Sequence, residues 1–447
     1  MPALALEVND AGLLALRAGA LGPEPESPGM ALFEGERVLV GAEAAARAFL
    51  SPRFVHHRFW DPLDQQPLRR PFPRRVTGAD LAHAQLSALA QSLVDAPDEV
   101  LLAVPGFWSK GALGLLLSVA RAAGLPVKGM VDAAVAASLA VSTRADGLLH
   151  LELTRQRAVL TVLTRTHEMA RTRVVDLDGF GASALDKRLA ETVARRFVAT
   201  TRFDPLHSAA AEQALHAALP EWLTALRSSA TCSASLTAGG REHRVELTRG
   251  TLEEGVSDLY DVLLGQVLAL APVEGFELLV SARASRLPGL LDRLRTLSSL
   301  GVLDLPRDAA LVGTLRGRDH IRYEGDALPF VTRLPLAGSS PALRPRAGQP
   351  PTHLLNGGAA HRLAPEGLAI GIAPPPGRRG LGLRRDGVAP HHCSLRIVDG
   401  EVLLEDHSGG ATLLNGTPVG AEALLRAGDR LRLGPSVELV LIATEGE

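Results

Sequence analysis

Up to about residue 335, short unbroken apolar runs alternate with stretches in which apolar residues return every three or four positions. That is the pattern of buried strands and amphipathic helices taken in turn. PALALEV (2–8) and LLALRAG (13–19) predict paired strands, and EVLLAVPG (99–106) predicts a buried strand running into a loop. SKGALGLLLSVARAAGL (109–125) has helical spacing and stops at Gly124, a residue suited to a helix end. LLHLELTRQRAVLTVL (148–163) reads as a β-hairpin whose turn, Thr154, Arg155, Gln156 and Arg157, contains no glycine. Amphipathic stretches follow from Gly181 to Ala199 and from Thr251 to Ala271, then a buried strand FELLVSA (276–282) and a helical segment from Pro288. The alternation predicts an α/β domain.

The pattern changes at PLAGSSPALRPRAGQPPTH (335–353), where Pro, Gly and Ser dominate and periodicity stops, as in a linker. Beyond it, short strands separated by Gly-containing turns run to the end, as in CSLRIVDGEVLLEDHS (393–408) and RLRLGPSVELVLI (430–442). This predicts an all-β sandwich. The boundaries expected are 1–335 for the first domain, 336–351 for the linker and 352–447 for the second domain.

Composition narrows the function. The 447 residues are 46% hydrophobic and 21% charged, which suits globular domains, and the formal net charge of -2 supplies no general attraction to nucleic acid or anionic lipid. The basic stretch PLRRPFPRR (67–75) is spaced by prolines and lacks interleaved aromatics, so it reads as a solvated loop. Two cysteines, Cys232 and Cys393, suggest neither a disulfide framework nor a zinc cluster. MPALALEVND lacks a basic region followed by a long apolar one, and no apolar stretch has bilayer length. The expectation is a cytoplasmic protein with no nucleic-acid partner and no membrane insertion.

Several segments resemble, in order, those of the Hsp70 nucleotide-binding domain: 38–60, 101–140, VVDLDGFGASALDKRLAETVARRF (174–197), VELTRGTLEEGVSDLYDVLLGQV (245–267), 278–294 and 305–317. The resemblance covers roughly 1–330 and implies the actin-like ATPase fold, two lobes around a cleft. The peptide-binding half of an Hsp70 chaperone has no counterpart here. In that fold two glycine-containing hairpins bring backbone N–H groups against the phosphates. The first, Asp-x-Gly-Thr-Thr in the family, reads Glu7, Val8, Asn9, Asp10, Ala11. The second, Asp-x-Gly-Gly-Gly-Thr in the family, reads Glu152, Leu153, Thr154, Arg155, Gln156, Arg157. Every phosphate-cradling glycine is replaced, and Asp10 adds negative charge where a triphosphate would lie. The adenosine-side Gly-Gly appears as Ser281 and Ala282, while Asp132, Ala133 and Ala134 stand for the family's Glu-Pro-Thr. Gly179 and Gly181 survive. These departures imply a pseudo-ATPase with no cofactor. The alternative is an ATP-binding switch with Mg²⁺, in which Glu7 and Glu152 hold a metal and Arg155 and Arg157 contact an anion.

The second domain resembles a forkhead-associated (FHA) domain through LAIGI (368–372), VAPHHCSLRI (388–397), VLLEDHSGGATLLNGTPV (402–419) and LLRAGDRLRLG (424–434). FHA domains read phosphothreonine peptides through loop side chains at one end of a β-sandwich. The framework matches are Gly371, His392, Asp406, Ser408, Thr412, Asn415, Gly416, Gly428 and Asp429, with Gly434 closing the last motif. The family's phosphate-contacting positions hold Ile372, Ala389 and Gly410 instead. Arg378, Arg379, Arg384 and Arg385 lie nearby and form a candidate relocated anion site. His391, His392 and Cys393 are adjacent on a strand, so their side chains point to opposite faces and cannot close one tetrahedral metal site; His56 and His57 read as structural on the same ground.

No nucleophile elbow, His-Glu-x-x-His helix or Walker-type loop occurs, and Ser281 in VSARAS lacks an elbow's flanking glycines. The sequence therefore predicts a non-catalytic scaffold that docks a protein partner through its FHA-like loops and the surface of its actin-like domain. An ATP-binding chaperone-like switch and a phosphothreonine-peptide reader are the alternatives.

Overall fold

The strand Ala3–Asn9 is buried along its whole length because it is paired on both sides and covered on both faces, which is why its sequence runs apolar without alternation. In the computed structural model it pairs antiparallel with Gly12–Arg17 and parallel with Glu99–Val104, which pairs parallel with Val127–Asp132. The structure describes residues 3–69, 71, 76–271, 275–297, 300–321, 330–336, 349–356, 359–375, 379–398, 400–434 and 437–443. The chain divides into two units, Met1–Leu334 and Pro335–Glu447. The first is mixed α/β. The second, among its described residues, consists of strands and their connections. No described helix is long and apolar enough to cross a membrane.

The first unit contains one strand order twice. Ser27–Pro28, Gly12–Arg17, Ala3–Asn9, Glu99–Val104 and Val127–Asp132 lie side by side, three antiparallel strands followed by two parallel additions. Glu168–Asp178, Arg157–Arg165, Gly147–Leu153, Phe276–Val280 and Leu300–Asp304 repeat that arrangement. The strand Glu168–Asp178 left no clear apolar signature because charged and half-buried positions mix along it. Each half has its own core: Leu6, Trp60, Leu86 and Leu102 belong to the first, and Leu151, Leu189, Phe197, Leu223 and Tyr260 to the second.

A helix follows Val127–Asp132 in one half and Leu300–Asp304 in the other, Ala133–Ser138 and Ala309–Arg316, and the two cross closely. A Cβ on Gly313 would come within 1.7 Å of the Ala136 carbonyl oxygen, so only glycine permits the crossing. The amphipathic stretch 251–271 is two helices, Arg249–Gly255 and Ser257–Leu270, rather than one. The backbone leaves helical geometry at Val256 just after Gly255, which lies so close to Thr192 Oγ1 that a Cβ would meet it at 2.4 Å.

The second unit stacks a six-stranded sheet on a five-stranded one. Its core is Leu354, Ile370, Cys393, Leu395, Leu404, Leu431, Leu433, Leu439 and Leu441, contributed by both sheets. Alternation explains the choice of residues: Arg430–Leu433 buries Leu431 and Leu433 and exposes Arg430 and Arg432.

Candidate functional site

The tips of the two hairpins meet in the first unit. At the first, Asn9 folds back on itself: its Oδ1 accepts from Ala11 N–H at 2.8 Å and its Nδ2 donates to Glu7 Oε1 at 2.8 Å. This Asx turn leaves the next side chain, Asp10, reaching the other tip. Asp10 Oδ1 accepts from Arg155 N–H at 2.7 Å and Oδ2 from Gln156 N–H at 2.8 Å. Burial pushes the Asp10 carboxyl upward, while the N–H groups of Arg155 and Gln156 and the Thr154 hydroxyl favour its charged form. Two successive backbone N–H groups aimed at one anion form a nest, and here the anion is the chain's own.

The second tip is a three-residue turn, Thr154, Arg155 and Gln156, with Arg157 already in the strand Arg157–Arg165. The four-residue turn read from the sequence is thus one residue too long. Arg157 N–H donates to Thr154 Oγ1 at 3.2 Å, so a hydroxyl does the closing that glycines would otherwise allow. Gln156 carbonyl accepts from Gly179 N–H and Gly181 N–H, at 2.9 and 3.1 Å. A Cβ on Gly181 would meet Arg157 N at 2.4 Å, so this glycine serves close packing on the turn, whereas Gly179 supplies a positive φ of 79°.

Ser281 caps the short helix Ala282–Ser285, and that helix carries Arg283 into the space between the two hairpin strands. Arg283 Nη1 donates to Glu7 Oε1 at 3.0 Å and to Glu152 Oε1 at 3.4 Å; Nη2 donates to Glu26 Oε1 at 3.1 Å. Arg307 Nη2 holds the other Glu26 oxygen at 2.7 Å. Burial on its own would weaken the Arg283 charge, but Glu7, Glu152 and Glu26 together raise its proton affinity well above the ordinary value. Burial pushes the Glu152 carboxyl upward, with Arg283 opposing and Glu7 reinforcing the shift. Glu26, despite its burial, is held below the usual carboxylate range by Arg283 and Arg307.

A divalent cation needs several oxygens free to converge on it. Glu7 Oε1 already accepts from Asn9 and Arg283, and the guanidinium joins Glu7 to Glu152. The two carboxylates therefore do not fit a metal, and the same guanidinium fills the place between them. Beside it lies a cavity of about 390 Å³ reached by His150 and Arg286. Among the described residues no group of three His, Cys, Asp or Glu side chains comes together to hold a metal.

Of the remaining positions that carry polar side chains, all but Arg155 are engaged. Asp132 caps the helix Ala133–Ser138, accepting from Ala134 and Val135 N–H, and pairs with Arg171 Nη1 at 2.7 Å. Burial pushes its carboxyl up against the pull of Arg171. Arg157 is not available to an anion: it donates to Asp61 at 2.6 Å and Asp176 at 2.5 Å and lies over the Phe107 ring. Thr154 and Gln156 are buried, and Gln156 Oε1 accepts twice from Arg58. Arg155 alone among the second-tip side chains makes no hydrogen bond among the described residues, and its Nε is buried.

In the second unit, Asp406 organises the loop after its strand. It accepts from Ser408 Oγ at 2.6 Å, from Gly410 N–H at 2.8 Å and from Thr412 Oγ1, and these donors hold its carboxyl below the usual range although burial opposes them. His392 Nδ1 accepts from Ala389 N–H at 3.0 Å, and Ile372 N–H donates to the Ala389 carbonyl at 3.0 Å. Gly371 allows this approach, since a Cβ there would meet the Pro390 carbonyl at 2.2 Å. Asn415 sits at φ 51° ahead of Gly416 and bridges to Asp429 Oδ1 and Arg430 N–H, while Gly428 has φ 94°. Arg379, Arg384 and Arg385 are exposed; Arg378 lies outside the described residues.

Compared with known proteins, the chain matches no protein-family model and no curated protein sequence. Sequence reasoning missed Arg283, Glu26 and Arg307. One signal was available for Arg283, a cation at the third position after an apolar strand, beside the expected ligand-side pair Ser281 and Ala282. Glu26 and Arg307 carried none, because both lie in loops.

Proposed function

We propose that the chain is a non-catalytic cytoplasmic scaffold: an Hsp70-like, actin-fold pseudo-ATPase domain joined by a Pro- and Gly-rich segment to an FHA-like domain. The strand order repeated in the two halves of the first unit supports the actin-like reading, and the loop framework around His392, Asp406 and Asn415 supports the FHA-like one. The observation that carries the functional reading is Arg283, whose guanidinium joins Glu7, Glu152 and Glu26. The carboxylates that would handle metal and water are neutralised internally. Asp10 likewise satisfies the backbone nest that would receive phosphate. A cleft tied across its middle in this way makes the first unit a rigid platform, and partner recognition falls to its surface and to the FHA-like loops. Isothermal titration of the full chain with ATP and Mg²⁺ tests this: no saturable heat is expected, and stoichiometric binding would favour the ATP-dependent switch instead.

A further inference from the structure

Among the described residues, the Arg155 side chain makes no hydrogen bond and no ion pair. Three carboxylates act on it electrostatically, and each is held by other donors: Asp10 by two backbone N–H groups, Asp186 by Arg286 at 3.5 Å, and Glu26 by Arg283 and Arg307. Its Nε is buried with no partner. Leaving a buried charged donor unpaired is costly, so an anion supplied from outside gains what the fold does not provide.

The side chain borders a cavity of about 680 Å³, within the range of small-molecule sites. One wall is apolar, including Met30, Ala48, Pro52 and Val55. The roof is fixed: Phe49 and His216 stack at 3.9 Å and 6° between planes, and Gln213 ties Phe49 N–H and the Ala45 carbonyl across it. Burial holds His216 below its ordinary range and, with Arg155, pushes His57 down to about 4, so both bordering imidazoles are neutral at pH 7. Lys187 and Glu212 also border the cavity and offset one another in charge, and Asp186, which borders it too, is paired with Arg286.

We infer that this cavity binds a small amphipathic organic anion, its acidic group on the Arg155 guanidinium and its apolar body against Met30, Pro52 and Val55. The site does not depend on the pseudo-ATPase reading, because Asp10 holds the backbone of Arg155 and leaves its side chain free.

The probe is 1-anilinonaphthalene-8-sulfonate on the full chain, compared with its uncharged analogue N-phenyl-1-naphthylamine. Saturable binding of the sulfonate at one site is expected. Arg155→Leu, which keeps the backbone N–H to Asp10, is expected to weaken the sulfonate at least tenfold and to leave the neutral dye within twofold. Ala217→Trp, at an exposed helix position bordering the cavity, is expected to block both dyes without changing the melting temperature. The inference is overturned by an absence of saturable sulfonate binding, by equal effects of Arg155→Leu on the two dyes, or by sulfonate binding that survives Ala217→Trp. If Arg155→Leu fails to fold, the ratio of the two dyes' affinities across 0.05–0.5 M salt decides: a sulfonate affinity that does not weaken relative to the neutral dye overturns the charge pairing.

Discussion

The two carboxylate oxygens of Asp10 accept one hydrogen bond each from the backbone N–H groups of Arg155 and Gln156, at 2.7 and 2.8 Å, so the tip of one hairpin supplies the anion that the tip of the other coordinates. Asp10→Ala leaves both donors unpaired in a buried place, at a cost of about 1–3 kcal/mol each. Asp10→Asn retains an acceptor oxygen and is expected to lose less. Urea midpoints for the two variants check the order; equal midpoints would mean the bridge adds nothing to stability.

Arg283→Met removes the cation from among Glu7, Glu152 and Glu26, and breaking a buried ion pair on one side costs about 3–5 kcal/mol. The loss depends on pH. Without the guanidinium, which opposes the effect of burial, the Glu152 carboxyl is protonated more readily in the folded state than in the unfolded one. A carboxyl with a raised folded pKa keeps its contribution below the unfolded value and loses it as pH rises through the folded one. The variant is therefore expected to lie closer to the parent protein at pH 5 than at pH 8, as unfolding curves at the two values would reveal.

His150 gives the opposite sign. Burial pushes its imidazole down to about 4, so it stays neutral in the folded chain while the unfolded chain takes up a proton near 6.5. Its contribution is complete above pH 6.5 and is lost as pH falls toward 4, by roughly 3 kcal/mol at the limit. His150→Leu is expected to flatten that part of the stability profile, measured as the difference between the two profiles from pH 7 to pH 4.

How much of this was legible in the sequence follows from how each residue acts. Glu7, Asp10 and the glycine-free second turn lie next to strong apolar strands, so their positions could be read from periodicity and their lost glycines seen directly. Glu26 meets Arg283 across 257 residues of chain and Arg307 meets Glu26 across 281, from loops that carry no period, and only the fold brings them together. Arg155 stands out by its charge as an anion contact, but that its side chain is unpaired is a property of its surroundings that only the fold shows. Arg157 shows the reverse case: its charge suggested anion contact, but Asp61 and Asp176 engage it.

In the second unit, Asn415 accepts from Arg430 N–H at 2.9 Å and donates to Asp429 at 2.7 Å from a left-handed backbone that few side chains tolerate. Asn415→Ala is expected to destabilise this unit by about 1–3 kcal/mol through the lost pairing, with the backbone strain adding to it. The exposed pair Arg384 and Arg385, both changed to Ala, is expected to leave its stability and partner binding unaltered. If the double change abolished binding of a phosphorylated peptide while Asn415→Ala was silent, the loop arginines would form a phosphate site and the framework reading would fail.

The most direct test of the central claim is the melting temperature of the full chain with and without millimolar ATP and Mg²⁺. A ligand at about 100 times its dissociation constant stabilises the folded state by ~2.7 kcal/mol, a shift of several degrees that is easily seen. With Arg283 held among three glutamates and Asp10 in the backbone nest, the first transition is expected not to move. A saturable upward shift with ATP that is absent without Mg²⁺ would contradict the account.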